Sequence, residues 1–539
     1  MASGRGGGRL GDVKGGDALS TLLKTLAKET PAKPPAAPAS REDLAAAMTR
    51  RNRIAPPPNQ QARKAAAKVK SKKEVIKIPR RLAEEAIRQA DAATVRSAPS
   101  QPKPVLVNDF GAASYGRISR LRPALEQFVA DARAPDAIDD PTRTSVARLV
   151  ELGASAIHTV VDPAAEGYIG HDFGTSSTKA VVRWPYDRAL GAYGVPVPSA
   201  WSSGGVPHLW PTIVHLHPVT GRFTLLPEPE AQALSGFKSA LIEGRGHRHC
   251  AGSKATMASA ATAFLTLHLA YVLGTVLDRQ SESKVSGLNI GVPVAALADK
   301  ATQHAFAAVA RAATLLIPNA NNLTLNDVEE ALATGDGGAL PVELHTELSG
   351  AIAGYCAGPR PYLGPHMIID CGSATLDIAS FQLGNEPWPI AIHAAGVEPL
   401  GADACVTYQA AGATHDDCRG AARHHEHRIF AETLHVAQHD FGQDEQRRYQ
   451  YQVIVIGGGM SGPIHGPLFD NMADAFQRPF HRPTLDPGLA LEVGTQPGRL
   501  ILADGLARAP VDLREVAMPR DRPRLVADDL PVFISKDQV

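Results

Sequence analysis

Apolar and polar residues follow two different periods along this chain, and the period changes near residue 167. Apolar residues recur at helical spacing over 115–157, which predicts helices in that region. From 167 onward the apolar runs are short and are separated by Gly and Pro turns, which predicts strands. These runs are GYIGHDFG, TKAVVRW, TIVHLHP and RFTLL.

The second half of the chain alternates predicted helices with predicted strands. Helices are predicted at 255–278, at about 298–316 and 341–356, and around 420–440, with a buried strand GLNIGVPV at 287–294. HMIIDCGSATLDIASFQL, at 366–383, predicts a strand, a turn and a second strand, and YQVIVIGGG predicts an apolar strand that ends in glycines at 459. This alternation indicates an α/β fold whose sheets are mostly covered by helices.

The charge of the chain is unevenly distributed. Residues 1–104 contain 22 Lys and Arg against 9 Asp and Glu, and the remainder contains 33 against 46. The first segment is rich in Pro, Ala and Gly, buries little apolar surface and is predicted to be a disordered basic tail, with short helices at 17–29 and 79–96. Its basic stretch RKAAAKVKSKK, at 63–73, is interpreted as a solvated linker or as a contact for nucleic acid or an acidic surface.

Composition restricts the cellular setting and the kind of site. The five cysteines are scattered without CxxC spacing, which argues against a disulfide framework or a zinc ribbon and favours a reducing cytoplasm. No apolar run approaches the length of a membrane span, so no membrane association is expected. GRGHRHC at 244–250 and HHEHR at 424–428 lack partners at metal-ligand spacing, so a polar loop and a solvated helix are the better interpretations.

The candidate ligand-binding residues of the chain are concentrated in three loops. In the first, Asp172, Gly174, Thr175 and Ser176 lie between two apolar strands. A tight turn at this position points backbone N–H groups inward as a nest for an anion, and the hydroxyls add donors. The carboxylate of Asp172 suits Mg²⁺ held through water, because Mg²⁺ gives up its hydration reluctantly.

The second loop repeats this chemistry about two hundred residues later. Asp370 ends an apolar strand and is followed by Gly372, Ser373 and Thr375 before the next strand begins. Two such hairpins are suited to close on one phosphate chain from opposite sides, one aspartate holding the metal and the other orienting an attacking water. Because the pattern occurs twice, the two loops together support an anion site better than either loop does alone.

The third loop follows the strand VIVI, which ends in Gly457, Gly458 and Gly459. Glycines at a strand end let a flat ligand approach the backbone, because no side chain stands in the way. The same pattern is also common in tight turns, so both interpretations stay open for this loop alone.

The order of these motifs from about 167 to 509 resembles the actin, sugar kinase and heat-shock-chaperone ATPase superfamily, and it is most similar to the DnaK-like branch. IGHDFGTSSTKAVV and IIDCGSATLDIASF resemble the two phosphate motifs, and VIVIGGGMSGPI the adenosine motif. GFKSALIEG is similar to the segment that bears the family's catalytic lysine, TELSGAIAGY to the connect 1 helix, and ILADGLARA to the connect 2 helix.

The resemblance implies a fold of two lobes, each with a mixed sheet covered by helices, and a nucleotide cleft between them. It implies ATP or ADP with Mg²⁺ as ligands, with the metal held through water by Asp172, Glu347 and Asp370. The catalytic set it implies is Asp172, Lys238, Glu347 and Asp370. Nucleotide contacts are expected from Gly174, Thr175, Ser176, Gly372, Ser373, Thr375, Gly457, Gly458 and Gly459, and a close helix crossing at Gly505 and Ala507.

The predicted organisation has five parts: a tail at 1–104, a helical preface at 105–165, lobe I at 166–365, lobe II with the adenosine motif at 366–509, and an extension at 510–539. The short extension leaves no room for a β-sandwich peptide-binding domain. Two features depart from the family: Ser373 and Ala374 replace glycines, and the adenosine loop has Ser461 near the position of an adenine-stacking arginine.

The sequence therefore predicts an ATP-binding protein that hydrolyses ATP slowly and acts as a nucleotide-dependent conformational switch or as a chaperone-like ATPase, with a protein partner or client. A pseudo-ATPase that binds nucleotide without turnover is a variant of this hypothesis. A sugar or metabolite kinase is one alternative, and a filament-forming partitioning protein whose basic tail reaches DNA is the other.

Overall fold

The computed structural model describes residues 111–127, 138–187, 190–294, 299–358, 361–384, 390–441, 451–475, 481–513 and 516–517. The chain divides into two units, Met1–Lys103 and Pro104–Val539, and all described residues belong to the second. The predictions for the basic tail and for its two short helices lie outside the described residues. Most of the predicted extension at 510–539 lies outside them as well.

The strands of the described residues form three sheets, and their bounds in chain order are as follows. They are β1 Tyr168–Asp172, β2 Ser177–Arg183, β3 Ala192–Gly194, β4 Trp210–Pro211, β5 Val214–Leu216, β6 Phe223–Thr224, β7 Gln232–Leu234, β8 Gly287–Val292, β9 Val342–Thr346, β10 Gly364–Cys371, β11 Leu376–Leu383, β12 Ile390–Glu398, β13 Gln452–Ile456, β14 Leu489–Ala490 and β15 Val516–Ala517.

The α-helices of the same ranges lie between and beside these strands. They are α1 Ala112–Leu121, α2 Asp140–Ser155, α3 Ile157–Val160, α4 Phe237–Ile242, α5 Met257–Arg279, α6 Lys300–Leu316, α7 Leu325–Thr334, α8 Glu347–Ala357, α9 Ala402–Ala410, α10 His415–Phe441, α11 His465–Ala475 and α12 Ile501–Leu506.

The two larger sheets repeat one topology. In the first, the order β14-β3-β2-β1-β8-β9 places the antiparallel meander β1-β2-β3 beside the parallel strands β8 and β9, and β4 pairs with β2. In the second, the order β13-β10-β11-β12-β15 places the antiparallel meander β10-β11-β12 beside the parallel strand β13. The third sheet, β6-β5-β7, is small and antiparallel. The predicted mixed α/β class is therefore confirmed.

Helices α8 and α12 pack against each other between the two larger sheets. Their apolar residues share one core with residues of both sheets, including Val181 of β2 and Ile368 of β10. The crossing depends on glycine, since a Cβ at Gly505 would lie 1.7 Å from the carbonyl oxygen of Gly350. The close helix crossing predicted at Gly505 is present, and Ala507 follows it in the same core.

Helix α5 is the central helix of the hydrophobic core that packs against the first sheet. It begins after Thr256, whose side chain accepts a hydrogen bond from the backbone N–H of Ser259, and it is apolar on all sides. Its length and composition alone would allow it to cross a membrane, but 94% of its most apolar window is buried inside the fold. The other described helices do not meet that test of length and hydropathy.

Helix α1 belongs to the core of the second sheet, although it precedes the first sheet in sequence. Ile118 is buried there. The hydroxyl of Tyr115 donates to Glu398 Oε1 at 2.9 Å, and the guanidinium groups of Arg122 and Arg428 also bind this carboxylate. Helix α1, part of the predicted helical preface, is thus anchored at the end of β12 through Tyr115 and Arg122, and Arg428 of α10 binds the same buried acid.

One predicted helix is wrong over part of its length. The helix predicted at about 341–356 begins only at Glu347, and Val342–Thr346 form strand β9. This segment pairs in parallel with the buried strand β8, which satisfies its backbone groups in a ladder. The side chain of Thr346 then accepts from the N–H of Ser349 and starts α8.

Candidate functional site

A cavity of about 420 Å³ is lined by the β1–β2 hairpin of the first sheet and by the β10–β11 hairpin of the second. Every residue for which the sequence predicts a site role lines it: Asp172, Gly174, Thr175, Ser176, Lys238, Glu347, Asp370, Gly372, Ser373, Thr375, Gly457, Gly458 and Gly459. The structure therefore brings the three predicted loops together. The individual catalytic, metal-binding and nucleotide-binding roles stay predictions.

The first hairpin carries a salt bridge at its cavity end. Asp172 lies opposite Lys179 in the β1–β2 pair, and Lys179 Nζ is 2.9 Å from Asp172 Oδ2. The turn between them requires glycine, because a Cβ at Gly174 would lie 2.1 Å from the carbonyl oxygen of Ser177. Thr212 fastens the turn from outside, donating its hydroxyl to the carbonyl of Gly174. Asp172 is thus held in one orientation by the strand pairing and by a lysine.

A second lysine–carboxylate pair stands beside this hairpin. Lys238, on the buried helix α4, lies with its Nζ 2.5 Å from Glu347 Oε1. Burial opposes the charge of Lys238, but the nearby carboxylates of Glu347 and Asp172 outweigh burial and raise its pKa. Glu347 is the first residue of α8, where the helix dipole favours a negative charge. Lys238 therefore keeps its positive charge at neutral pH.

The second hairpin places two acids opposite each other. Asp370 pairs with Asp377 across β10 and β11. Burial, with repulsion from Glu347 and Asp172, raises the pKa of Asp370 to about 7. Burial and the charges of Glu347 and Asp370 raise the pKa of Asp377 well above its usual value, and its Oδ1 has no hydrogen-bond partner. This end of the cavity therefore holds two carboxyl groups that resist ionisation in the absence of a bound cation.

The turn of the second hairpin is fixed by the start of α9. The backbone N–H groups of Ala402 and Asp403 donate to the carbonyls of Gly372 and Ser373, at 3.0 Å and 2.9 Å. The hydroxyl of Ser373 donates to the Asp403 carboxylate. The departure from glycine at Ser373 is therefore accommodated, and its hydroxyl proton is directed to Asp403, which also lines the cavity.

The three glycines after β13 leave room for other parts of the protein. Gly457 has a φ of 88°, and a Cβ there would lie 2.3 Å from the carbonyl oxygen of Cys371. At Gly459 a Cβ would lie 2.4 Å from Cys371 Sγ, and at Gly458 it would lie 2.6 Å from Arg499 Cζ. The steric need for glycine is thus explained by the second hairpin and by Arg499, before any ligand is considered.

Four charged residues line the cavity without having been assigned a role from sequence: Lys179, Asp377, Asp403 and Arg499. Lys179 and Asp377 could have been found, because each stands at the matching position after the turn of its own hairpin. Asp403 gives only the weak signal of an acid in the first turn of a helix. Arg499 gives none, since its place depends on the path of the chain after β14.

The acidic end of the cavity fits a hydrated divalent cation better than a metal bound by protein alone. Among the described residues, no three His, Cys, Asp or Glu side chains are grouped closely enough to hold a metal ion. Mg²⁺ takes only one or two carboxylates when phosphates and waters supply its other ligands. Asp172 and Glu347 already bind lysines, so Asp370 and the unpartnered Oδ1 of Asp377 are best placed to receive such an ion.

No protein-family model and no curated protein matches the chain. Among solved structures, 237 chains match it. One is MreB 5 of Spiroplasma citri bound to AMPPNP, which is 13% identical, with a TM-score of 0.33, over 63% of this chain and 94% of that one. A similarity this low carries no argument about function, so the topology of the two sheets and the composition of the cavity carry the conclusions that follow.

Proposed function

We propose that this protein binds ATP or ADP with Mg²⁺ in the cavity between its two larger sheets and hydrolyses ATP slowly. The observation that carries this proposal is the convergence of the two aspartate-led hairpins, at Asp172 and Asp370, on one cavity. Two hairpins with small and hydroxyl residues at their turns suit a phosphate chain held from both sides.

The repeated sheet topology supports an actin-like fold for this site. Each large sheet contains an antiparallel meander whose first strand pairs in parallel with a later strand, and each first hairpin carries the anion-loop sequence. Such a duplication is what the sequence resemblance to the actin and DnaK-like ATPases implies. The two sheets would then be the cores of two lobes that close over the nucleotide.

The chemistry of the cavity supports ATP hydrolysis over binding alone. Bound Mg²⁺ would supply charge neutralisation at the phosphates. The raised pKa of Asp370, about 7, allows its carboxylate to accept a proton from water near neutral pH. Lys238 and Glu347 form an ion pair that lines the same cavity and is suited to orient water or phosphate.

The output of such a site is a conformational signal to a protein partner or client. ATP touching both hairpins would favour the closed arrangement, and loss of the γ-phosphate would remove that preference, because a ligand shifts an equilibrium only by its differential affinity. The five cysteines, none of which forms a disulfide, are compatible with a reducing cytoplasm. A role for the basic tail in binding nucleic acid or an acidic surface is part of the same proposal.

Isothermal titration of the full-length protein with ATP and ADP, each with and without Mg²⁺, tests the proposal. We expect binding that Mg²⁺ strengthens for the wild type and for Asp336→Asn, an exposed acid outside the cavity. We expect at least tenfold weaker Mg-dependent binding for Asp172→Asn and Asp370→Asn, since each removes a charge next to the metal and phosphates. A wild-type protein with no affinity at millimolar nucleotide would refute the proposal.

The two alternative functions predict different experimental results. A sugar or metabolite kinase would show ATP turnover that rises many-fold with its substrate, together with a phosphorylated product in mass spectra. A filament-forming protein would sediment in an ATP-dependent way and would show filaments in negative stain. The switch hypothesis expects neither result.

A further inference from the structure

Glu398, the last residue of β12, is a buried acid whose hydrogen-bond donors come from distant parts of the chain. The hydroxyl of Tyr115 donates to Glu398 Oε1 at 2.9 Å, and Arg428 Nη2 donates to the same oxygen at 3.1 Å. Arg122, which directly follows α1, donates from Nη2 to Glu398 Oε2 and to the hydroxyl of Tyr115. Two of these three donors therefore belong to the helical preface and not to the sheet that carries the acid.

Glu398 also lies next to the turn of the second hairpin. In the β11–β12 pair it stands opposite Leu376, which directly follows Thr375 of the cavity lining. A short way beyond Glu398 in the chain, the backbone N–H groups of residues 401–403 donate to the carbonyls of residues 372–374, at distances of 2.9 Å to 3.0 Å. Both backbone supports of the turn are thus continuous with Glu398, and a displacement of Glu398 would reach the turn through each of them.

We propose that Tyr115 and Arg122 are positioning residues of the nucleotide site, which act by holding Glu398 and with it the turn of the second hairpin. The side chains of Tyr115, Arg122 and Glu398 do not line the cavity, so they act on the hairpin and not on the ligand. This inference rests on the proposed function, because that turn is one of the two proposed to hold the phosphate chain. The sequence resemblance assigned the helical preface no role in the site.

The hydrogen bonds of Glu398 explain why its position depends on the preface. A buried carboxylate is costly unless it is paired and hydrogen-bonded. Of its three donors, Arg428 binds only Oε1, so the loss of Arg122 leaves Oε2 without the partner that this structure gives it. The carboxylate can then regain hydration only by moving toward solvent, and the end of β12 is expected to move with it.

Arg117 of the same helix provides a matched control. Its Nη1 lies 3.1 Å from Asp417 Oδ2, so it joins α1 to α10 without contacting Glu398. Asp417 is also held by Thr414, whose backbone N–H and hydroxyl both donate to Oδ2. The loss of Arg117 should therefore weaken the docking of α1 while the start of α10 and the second hairpin keep their places.

The test uses the full-length protein and has one arm without ligand and one with it. Hydrogen exchange of the ligand-free protein measures how often the backbone amides at 372–376 and 399–404 open, with strand β8 of the first sheet as an internal reference. Titration then measures the affinity for Mg-ATP. The variants are Tyr115→Phe, which removes one hydroxyl, Arg122→Gln, which removes the positive charge, and the control Arg117→Gln.

We expect Tyr115→Phe and Arg122→Gln to exchange faster at both stretches while β8 is unchanged. Their affinity for Mg-ATP should fall by about two- to thirtyfold, the usual range for residues that influence a site without touching the ligand. Arg117→Gln should change neither quantity. Arg122→Lys keeps a cation for Glu398 and should recover most of the lost affinity.

Four results would overturn the inference. They are wild-type exchange at both stretches in Tyr115→Phe and Arg122→Gln, equal effects in Arg117→Gln, faster exchange that extends equally to β8, and faster local exchange with unchanged affinity for Mg-ATP. The second and third would show that α1 contributes only general stability. If the wild-type protein binds no ATP, the proposed function fails, and the exchange arm still decides whether the preface holds the second hairpin.

Discussion

Asp370 and Asp377 lie opposite each other at the end of the second hairpin, where the first hairpin places Asp172 opposite Lys179. The two hairpins therefore share their geometry but differ in charge. The first pairs an acid with a lysine, and the second pairs two acids. Burial raises the pKa of both carboxyl groups, with added repulsion from Glu347 and Asp172 at Asp370 and from Glu347 and Asp370 at Asp377. The second hairpin therefore has no lysine or arginine opposite its aspartate, and the first two predictions below follow from this difference.

Removing one of these acids should stabilise the ligand-free protein. Asp370→Asn removes the cost of burying this carboxyl group beside Glu347 and Asp172, and we expect the free energy of unfolding at neutral pH to rise by about 2 kcal/mol, as a raised carboxyl pKa implies. Urea unfolding without Mg²⁺ measures the change. Asp336→Asn, on an exposed loop, should leave stability within about 0.5 kcal/mol. A loss of stability in Asp370→Asn would contradict the assigned repulsion.

The increase in unfolding free energy caused by Asp370→Asn should depend on pH. The folded protein holds a proton on Asp370 up to about pH 7, while the unfolded chain releases it near the ordinary value of 3.8. The wild type therefore loses stability from this group as the pH rises between those values, and the advantage of the variant grows over the same window. Buried His215 and His366, whose pKa values burial lowers to about 4, act in the opposite direction in both proteins and cancel in the comparison. Equal stability differences at about pH 5 and pH 8 would contradict this assignment.

Breaking the Lys238–Glu347 pair on one side should be costly. Lys238→Met leaves Glu347 near other carboxylates without its cation, and we expect a loss of about 3–5 kcal/mol in unfolding free energy. The double variant Lys238→Met/Glu347→Gln should recover most of that loss, because no unpaired charge remains. A double-mutant cycle by urea denaturation measures the coupling. Additive effects of the two single changes would show that the 2.5 Å contact carries no net energy.

The crossing of α8 and α12 should tolerate no side chain at its centre. In Gly505→Ala the new methyl group would meet the carbonyl oxygen of Gly350 at 1.7 Å, so the helices must separate. We expect a loss of about 3 kcal/mol or more, at the upper end for single substitutions. Gly116→Ala is the matched control, since its position in α1 has no atom within 4 Å of the added Cβ. Thermal unfolding should show that control unchanged or stabilised by about 0.5–1 kcal/mol.

Helix α1 should detach when its apolar anchor is shortened. Ile118 is buried in the core of the second sheet. Ile118→Ala is expected to weaken the packing of α1 against this core by about 2–5 kcal/mol. Limited proteolysis should then cut within 111–127 faster than in the wild type. Val219→Ala changes an apolar residue that is 84% exposed, and its cleavage pattern should not differ. Unchanged protection of 111–127 in Ile118→Ala would show that the Glu398 contacts alone hold the helix.

Most of the site could be predicted from sequence because its three loops are local patterns. An aspartate after an apolar strand, followed by glycine and hydroxyl residues and a second strand, specifies a polar hairpin wherever it occurs. The same holds for the three glycines after β13, whereas Lys238 and Glu347 were expected only because their segments resemble motifs of the family. The error at Val342–Thr346 has a local cause too, since a short apolar segment that precedes a helix gives an ambiguous period.

The sequence by itself determined where the hairpins, the long buried helix and the glycine loop lie, because each depends on the backbone preferences and burial pattern of neighbouring residues. Only the tertiary structure decided which charges meet: that Lys238 reaches Glu347, that Asp377 confronts Asp370, and that Arg499 lies over Gly458. It also decided that residues 342–346 pair with β8 as a strand. These relationships join residues distant in the chain, and periodicity along a chain contains no information about which distant elements become neighbours.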